Sequence, residues 1–272
     1  MTGSRSEGFV EVSVPEAYER FMTRQLFAPW AHELVRRAAP LGGISVIDVA
    51  TGPGTVARLA AAEVGDGGQV VACDVSAAML AIAAAKPVVP DSARIEYLKC
   101  SAAALDAAEG TFRLALCQHG LQFFPDRLAA LREIYRVLEK GGVALVSTWA
   151  AERPLGLFGP MGDTLRDCGT SEPYPRAFDA GSYVLGALDL VELLEAAGFL
   201  QVIVETVELE CVWETSDDAL ATISGTPFAP VVAALPGAEQ ERIRAVLRQR
   251  LGCPADGSVS LKTASNIAHG VK

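Results

Sequence analysis

Gly52-Pro53-Gly54, with Ala57 one turn later, forms a short glycine turn set between two carboxylates, Asp48 before it and Asp74 after it. Glycines let backbone N–H groups approach a ligand closely, and an acid at the end of the following strand accepts hydrogen bonds from a vicinal diol such as a ribose. His119 is the third reactive element, since an imidazole titrates near neutrality and can take or donate a proton. Of the three histidines, His32 falls on a helical stretch and His269 near the C-terminus, so His119 alone follows a strand that could end at a ligand.

The pattern Gly52-x-Gly54-x-x-Ala57 with a later acid also fits the dinucleotide fingerprint, so a nicotinamide oxidoreductase is one reading. Pro53 removes a backbone N–H from the middle of the turn, and Asp48 places negative charge where a pyrophosphate would lie. A ligand with a ribose, a cationic head and no phosphate suits the turn better. S-adenosyl-L-methionine has those properties.

These groups must be held by strands and helices. Ile44–Ala50 is short, apolar and β-branched, as a buried parallel strand is, and Thr55–Glu63 is an alanine-rich helix closed by Gly65. Val70–Cys73 is a second strand ending at Asp74. Ser76 caps a helix to about Ala85, ended by Lys86-Pro87. Arg94–Cys100 alternates as a third strand, Leu114–Cys117 forms a fourth, and a helix from Asp126 to Glu139 stops at Gly141-Gly142 before a fifth strand, Val143–Trp149. Strand alternating with helix implies an α/β fold, doubly wound and Rossmann-like. Ligands of such sheets sit beyond the carboxyl ends of the strands, which places Gln118-His119-Gly120-Leu121-Gln122-Phe123-Phe124 at the site.

Asp48–Gly54, Asp74–Leu80, Cys117–Asp126 and Arg136–Gly142 together resemble, in order and spacing, a class I S-adenosylmethionine-dependent methyltransferase of the ubiquinone-biosynthesis (UbiE, type 11) kind. The resemblance covers roughly the first 150 residues; beyond them only the general layout matches. It implies a seven-stranded sheet whose last strand is antiparallel, with N-terminal helices and a helical lid insertion. It implies S-adenosyl-L-methionine as cofactor, with Ala50, Thr51, Gly52 and Asp48 at the glycine turn, Asp74 and Val75 at the ribose, and Met79 against the adenine or in the core. Ser101 and Ala102 fall near the adenine amino group, Cys117 and Gln118 at the end of the fourth strand, and Tyr18 on the helices that fold over the cofactor. Two positions depart from the pattern: Ser101 stands where an acid is usual, which weakens the adenine contact, and Arg113 replaces an acid at a strand entry far from the site.

Residues 1–40 form an N-terminal cap, beginning with a polar disordered stretch over 1–14 and continuing as a pair of helices from Pro15 to Ala39; residues 41–149 form the cofactor-binding core. Residues 150–187 and 213–251 are lid elements, while 188–212 and 252–272 complete the sheet, with a helix Leu188–Ala197, a sixth strand Val202–Val212 and the last strand Val259–Ala268. Thr215–Leu251 reads as two helices broken at Pro227, Pro230 and Pro236-Gly237. The first lid segment mixes apolar residues with helix breakers, and Trp149, Phe158, Met161, Tyr174 and Phe178 define an apolar acceptor cavity.

The chain has 272 residues and a net charge of −10, which speaks against a nucleic-acid substrate because phosphate backbones are repelled. Its six cysteines form no C-x-x-C pair and no metal-ligand spacing, and no metal is expected. With no signal-peptide pattern and no apolar run long enough to span a bilayer, a soluble cytoplasmic protein is expected, with a small-molecule substrate, no membrane partner, and a monomer or homodimer left open. The expected function is methyl transfer to a small, largely apolar metabolite, secondary metabolites included, with oxygen, nitrogen or carbon open as acceptor and His119 as base or as a neutral orienting group. The alternative keeps fold and cofactor and substitutes a cyclisation without methyl transfer.

Overall fold

The structure is a computed structural model that describes residues 13–151, 153, 155–169, 184–226, 228–252 and 257–272. Most of the expected disordered N-terminal stretch, and the lid residues Tyr174 and Phe178, lie outside the described residues.

Among the described residues seven longer strands and one very short one form a single sheet. They are β1 (Ser45–Val49), β2 (Gln69–Asp74), β3 (Arg94–Lys99), β4 (Phe112–Gln118), β5 (Leu138–Ala150), β6 (Val184–Leu185), β7 (Leu200–Trp213) and β8 (Val259–Val271). The order is β3-β2-β1-β4-β5-β8-β7, parallel from β3 through β5, with β8 antiparallel to both β5 and β7. The strand order reverses between β1 and β4, and a crevice opens beyond their carboxyl ends. Two-residue β6 pairs with Trp149 and Ala150 of β5, just past the last β4 partner, Ser147.

Alternation along β1 sends Val46 into the core on one face and Ile47 and Val49 into the core on the other. On the first face lie α2 (Ala28–Ala38) and α3 (Thr55–Val64). The second is covered by α5 (Arg127–Val137) and α7 (Ala187–Ala197). α5 ends at Val137, before the Gly141-Gly142 pair expected to stop it: Leu138 donates its N–H to Ile134 but already has extended backbone and starts β5. Gly141, at φ 77°, lies instead inside β5, where its amide pairs with the Lys272 carbonyl at 2.9 Å. The glycine pair shapes the strand, not the helix end.

The expected pair of N-terminal helices is one helical run. α1 (Val14–Tyr18), opened by a Ser13–Glu16 capping box, continues through a π-helical section over Glu19–Phe27 into α2. Two and a half α-turns would put residues 18 and 27 on opposite faces. Turns closed by i→i+5 bonds bring nine residues to about two turns, and the Tyr18 and Phe27 rings stack at 4.8 Å. The second lid region is more divided than expected: α8 (Ser216–Ala221), a 3₁₀ turn over Thr222–Gly225, α9 (Ala229–Ala233) and α10 (Gly237–Arg250).

Candidate functional site

A cavity of about 920 Å³ occupies the crevice beyond the strand ends, near the upper end of the range for ligand sites, about 300–1,000 Å³. Its floor comes from the carboxyl ends of β1, β2, β3 and β4 and the turns after them. The roof comes from the N-terminal helical run, α6 (Phe158–Asp167), Gly225, Thr226 and Phe228.

The glycine turn is built on left-handed backbone: Ala50, Gly52 and Gly54 have φ of 61°, 54° and 79°, a geometry that glycine takes freely and alanine does not. Asp74 clamps this turn. One carboxylate oxygen accepts the Gly52 N–H at 2.8 Å and the other accepts the Ser76 N–H at 2.8 Å. Each oxygen keeps a second lone pair, so a diol can still be held. Val75, 72% exposed, and Met79 on α4 (Ala77–Ala85) extend this wall.

Ten of the thirteen residues expected at the site line the cavity: Tyr18, Ala50, Gly52, Asp74, Val75, Met79, Ser101, Ala102, Gln118 and His119. Asp48, Thr51 and Cys117 do not. The Asp48 carboxylate faces back under the turn, 1% exposed, and accepts bonds from the Thr51 hydroxyl at 2.5 Å and from the Ala57 N–H. Burial pushes its pKa up to about 7. It shapes the loop from below, and its charge is a weaker argument against a diphosphate than the sequence suggested. Cys117 packs in the core on the α5 and α7 side. Ser101 lines the cavity, while its hydroxyl accepts the Ala103 N–H at 3.2 Å.

The loop after β4 is tightly seated. His119 has φ of 51°, and a Cβ on Gly120 would stand 2.6 Å from the Ala50 Cβ, so only glycine lets the β1 and β4 turns meet. The His119 ring stacks on Trp149 at 3.9 Å, and its Nε2 lies 2.7 Å from the Ser265 hydroxyl. Burial lowers its pKa to about 3, which keeps the ring neutral. Its Nδ1 has no partner among the described residues. Gln118 donates to the Phe27 carbonyl at 3.0 Å, and Gln122 accepts the Trp149 N–H at 2.9 Å. Each glutamine leaves its other amide atom buried and unpaired, Oε1 of Gln118 and Nε2 of Gln122.

Tyr18, Phe27, Trp149, Phe158 and Phe228 give the roof its aromatic character. Burial, and then the Asp74 charge, raise the Tyr18 pKa, so its phenol stays protonated and can donate. Met161, expected in the cavity, is fully buried in the core instead. Phe27 and Phe228 were missed by the sequence reading: a 3.6-residue period places Phe27 on the wrong face, and Phe228 sits among prolines with no period at all. Among the described residues the charged ones lining the cavity are Asp74, Asp126, Asp163 and Arg166, an excess of negative charge that suits a cationic ligand. Among the described residues no group of three His, Cys, Asp or Glu side chains gathers to hold a metal, and no helix is long and apolar enough to cross a membrane.

Residues 12–152 match the ubiE/COQ5 methyltransferase family. The chain is 36% identical over 113 residues to demethylmenaquinone methyltransferase of Lactococcus lactis, covering 42% of this chain and 45% of that one. It is 34% identical over 131 residues to the ubiquinone/menaquinone biosynthesis C-methyltransferase UbiE of Xylella fastidiosa, covering 48% of this chain and 52% of that one. The chain thus spans about half the length of the curated relatives it matches. Among solved structures it is similar to phosphoethanolamine N-methyltransferase 2 of Haemonchus contortus in complex with S-adenosyl-L-methionine, with a TM-score of 0.60 and 20% identity over 95% of this chain and 56% of that one, a likeness of fold.

Proposed function

The chain belongs to the ubiE/COQ5 methyltransferase family, and on that premise we propose that it transfers a methyl group from S-adenosyl-L-methionine to a small, largely apolar acceptor. The observation that carries this reading is the position of Asp74, which clamps the glycine turn with one lone pair per oxygen and lines a cavity that it shares with Asp126, Asp163 and several aromatic rings. Asp74 would hold the ribose hydroxyls, Met79 and Ala102 would flank the adenine, and Tyr18 would close over the adenosyl group. Bound there, the cofactor supplies an electrophilic methyl on a cationic sulfur.

What the protein must contribute is alignment and exclusion of water. Holding two reactants in line lowers a barrier by ~7–11 kcal/mol without any strong base. Phe27, Trp149 and Phe158 would press the acceptor toward the strand ends, and their ring faces favour a neighbouring positive charge. We assign His119 a neutral orienting role: its ring, locked by Trp149 and Ser265, holds the loop after β4 in place, and a pKa near 3 leaves it no basicity to use at neutral pH. The roof residues Phe158, Arg166, Thr226 and Phe228 lie beyond residue 152, outside the span matched to the family. The acceptor is therefore read from the cavity and not from the relatives' names. Demethylmenaquinone, for which the Lactococcus lactis relative is named, is the first acceptor to offer.

Purified protein incubated with adenosylmethionine and a panel of apolar acceptors should release S-adenosylhomocysteine in step with a methylated product, both followed by mass spectrometry. A transformed acceptor without S-adenosylhomocysteine would point to the cyclisation chemistry instead.

A further inference from the structure

Val14 and Tyr18 of α1 line the cavity, and so does Met79 of α4. An ion pair joins these two elements. Lys86, the residue that ends α4, places its Nζ 2.7 Å from Oε1 of Glu19, the residue after Tyr18. The other carboxylate oxygen of Glu19 accepts the hydroxyl of buried Thr23 at 2.9 Å, so the acid is held at both oxygens. The paired side chains are 19% and 30% exposed, whereas a second ion pair of the same helical run, Arg24 with Glu214, stands mostly in solvent. Exposed pairs contribute little to stability, and partial burial strengthens the attraction, so the Lys86 pair is the one able to hold an element down.

Both ends of this pair matter to the cavity, although neither residue lines it. The Arg58 guanidinium of α3 donates to the Pro87 carbonyl at 2.6 Å, which fixes the end of α4 against the helix that begins at the glycine turn. On the other side, α1 has five residues, and a helix that short has almost no stability of its own. Its place over the cavity depends on what it is tied to. Tyr18 stacks on Phe27 and lies so close to Gly225 that a Cβ there would stand 2.8 Å from the Tyr18 Cα, and Glu19 ties the next residue to α4.

We propose that Lys86 is a positioning residue for the cofactor: by latching Glu19 to α4 it keeps Tyr18 down over the adenosyl group and sets how fast the bound nucleoside leaves. This rests on the reading of the cavity as the adenosylmethionine site. With the pair formed, α1 lifts only after two half-buried charges have parted. With the pair broken, α1 lifts more often and the nucleoside escapes sooner. Entry uses the same lift, so association does not slow.

The test follows S-adenosylhomocysteine association and dissociation on the full chain by stopped-flow tryptophan fluorescence, since Trp149 lines the cavity. Lys86→Glu, which replaces attraction with repulsion, should speed dissociation about five- to ten-fold without slowing association, and Glu19→Lys should do the same. The double variant restores a pair of opposite polarity and should bring the rate back to within about two-fold of the unaltered chain. High salt should shrink the effect of either single change. A dissociation rate unchanged in folded Lys86→Glu overturns the proposal, and so does a double variant that dissociates as fast as the singles. Hydrogen exchange on the ligand-free chain reads the latch without the cofactor. Amides of residues 17–23 should exchange several-fold faster in Lys86→Gln, a milder change that keeps the question decidable if charge reversal prevents folding, and equal exchange there overturns the latch. Faster exchange in a protein whose unaltered form binds no S-adenosylhomocysteine leaves the latch standing and sinks the cofactor reading.

Discussion

The floor of the cavity is assembled from short turns at the ends of four adjacent parallel strands, whereas its roof is assembled from helices that are distant in the chain and meet only in the folded protein. Floor positions are fixed by backbone: Asp74 is bonded to two amides, Asp48 to Thr51 and Ala57, and Gly120 is wedged against Ala50. Roof positions are fixed by ring packing, with Phe27 and Phe158 each against Trp149, whose ring stacks in turn on His119 of the floor. A hydrogen-bonded floor holds polar groups to within tenths of an ångström, as a cofactor requires. A packed apolar roof can be recut by substitution to take another acceptor.

The largest expected effect breaks the roof. Trp149→Ala removes a ring with 5% exposure that stacks on His119 and touches Phe27, Trp30 and Phe158. It should cost about 3–5 kcal/mol in urea unfolding, as large aromatic truncations in cores do. The floor can be probed next through pH. The Asp48 pKa, raised by burial from 3.8 to about 7, means that below about pH 4 both the folded and unfolded states are protonated and the contribution to stability is full. As pH rises through that window the unfolded chain ionises first, so stability falls, on the order of 3–4 kcal/mol, until the folded carboxyl also ionises near pH 7. Asp48→Asn should flatten the stability profile between pH 4 and 7 in thermal or urea unfolding.

Asp74→Ala should weaken S-adenosylhomocysteine binding by about 1.5–3 kcal/mol, roughly 10- to 150-fold, as loss of hydrogen bonds to a charged group does. Calorimetry reads it, and an unchanged affinity would detach the carboxylate from the ribose. Gly225→Ala sharpens the view of where roof meets N-terminal cap, because its Cβ would stand 2.7 Å from the Met22 sulfur and 2.8 Å from the Tyr18 Cα. A cost of about 1–3 kcal/mol is expected, with a parallel loss of affinity as Tyr18 shifts. The smallest effect is an absence: with the His119 pKa near 3, the turnover profile from pH 5 to 8 should keep its shape in His119→Gln while its height drops. An inflection near 6.5 present in the unaltered enzyme and lost in the variant would restore His119 as a base.

The same contrast explains what the sequence makes legible. Strand ends, caps and glycine turns are local, so β1 through β4, the Ser76 cap and the Asp74 position can be read directly from residue order. Nine of the residues that line the cavity fall on that frame, while Tyr18 is placed by the family resemblance alone. Asp48 reads as a ligand contact because sequence gives the acid and its neighbourhood but not the direction of its side chain. Phe27 escapes because nothing in residue order announces a π-helical section, and a 3.6-residue period sends it away from Tyr18. α5 ends early because the pull of β5 pairing beside β4 outweighs the glycine pair as a stop signal. Phe228 depends on the long return of the chain from β7, which no local pattern encodes.

The central claim, a carboxylate-clamped glycine turn that receives a cationic, phosphate-free nucleoside, is tested most directly by titrating the purified protein in a calorimeter with S-adenosylhomocysteine, S-adenosyl-L-methionine and NAD in parallel. The account predicts saturable binding of both sulfur nucleosides, abolished or strongly weakened in Asp74→Ala, and no heat with NAD. Binding of NAD with indifference to both sulfur compounds would contradict it.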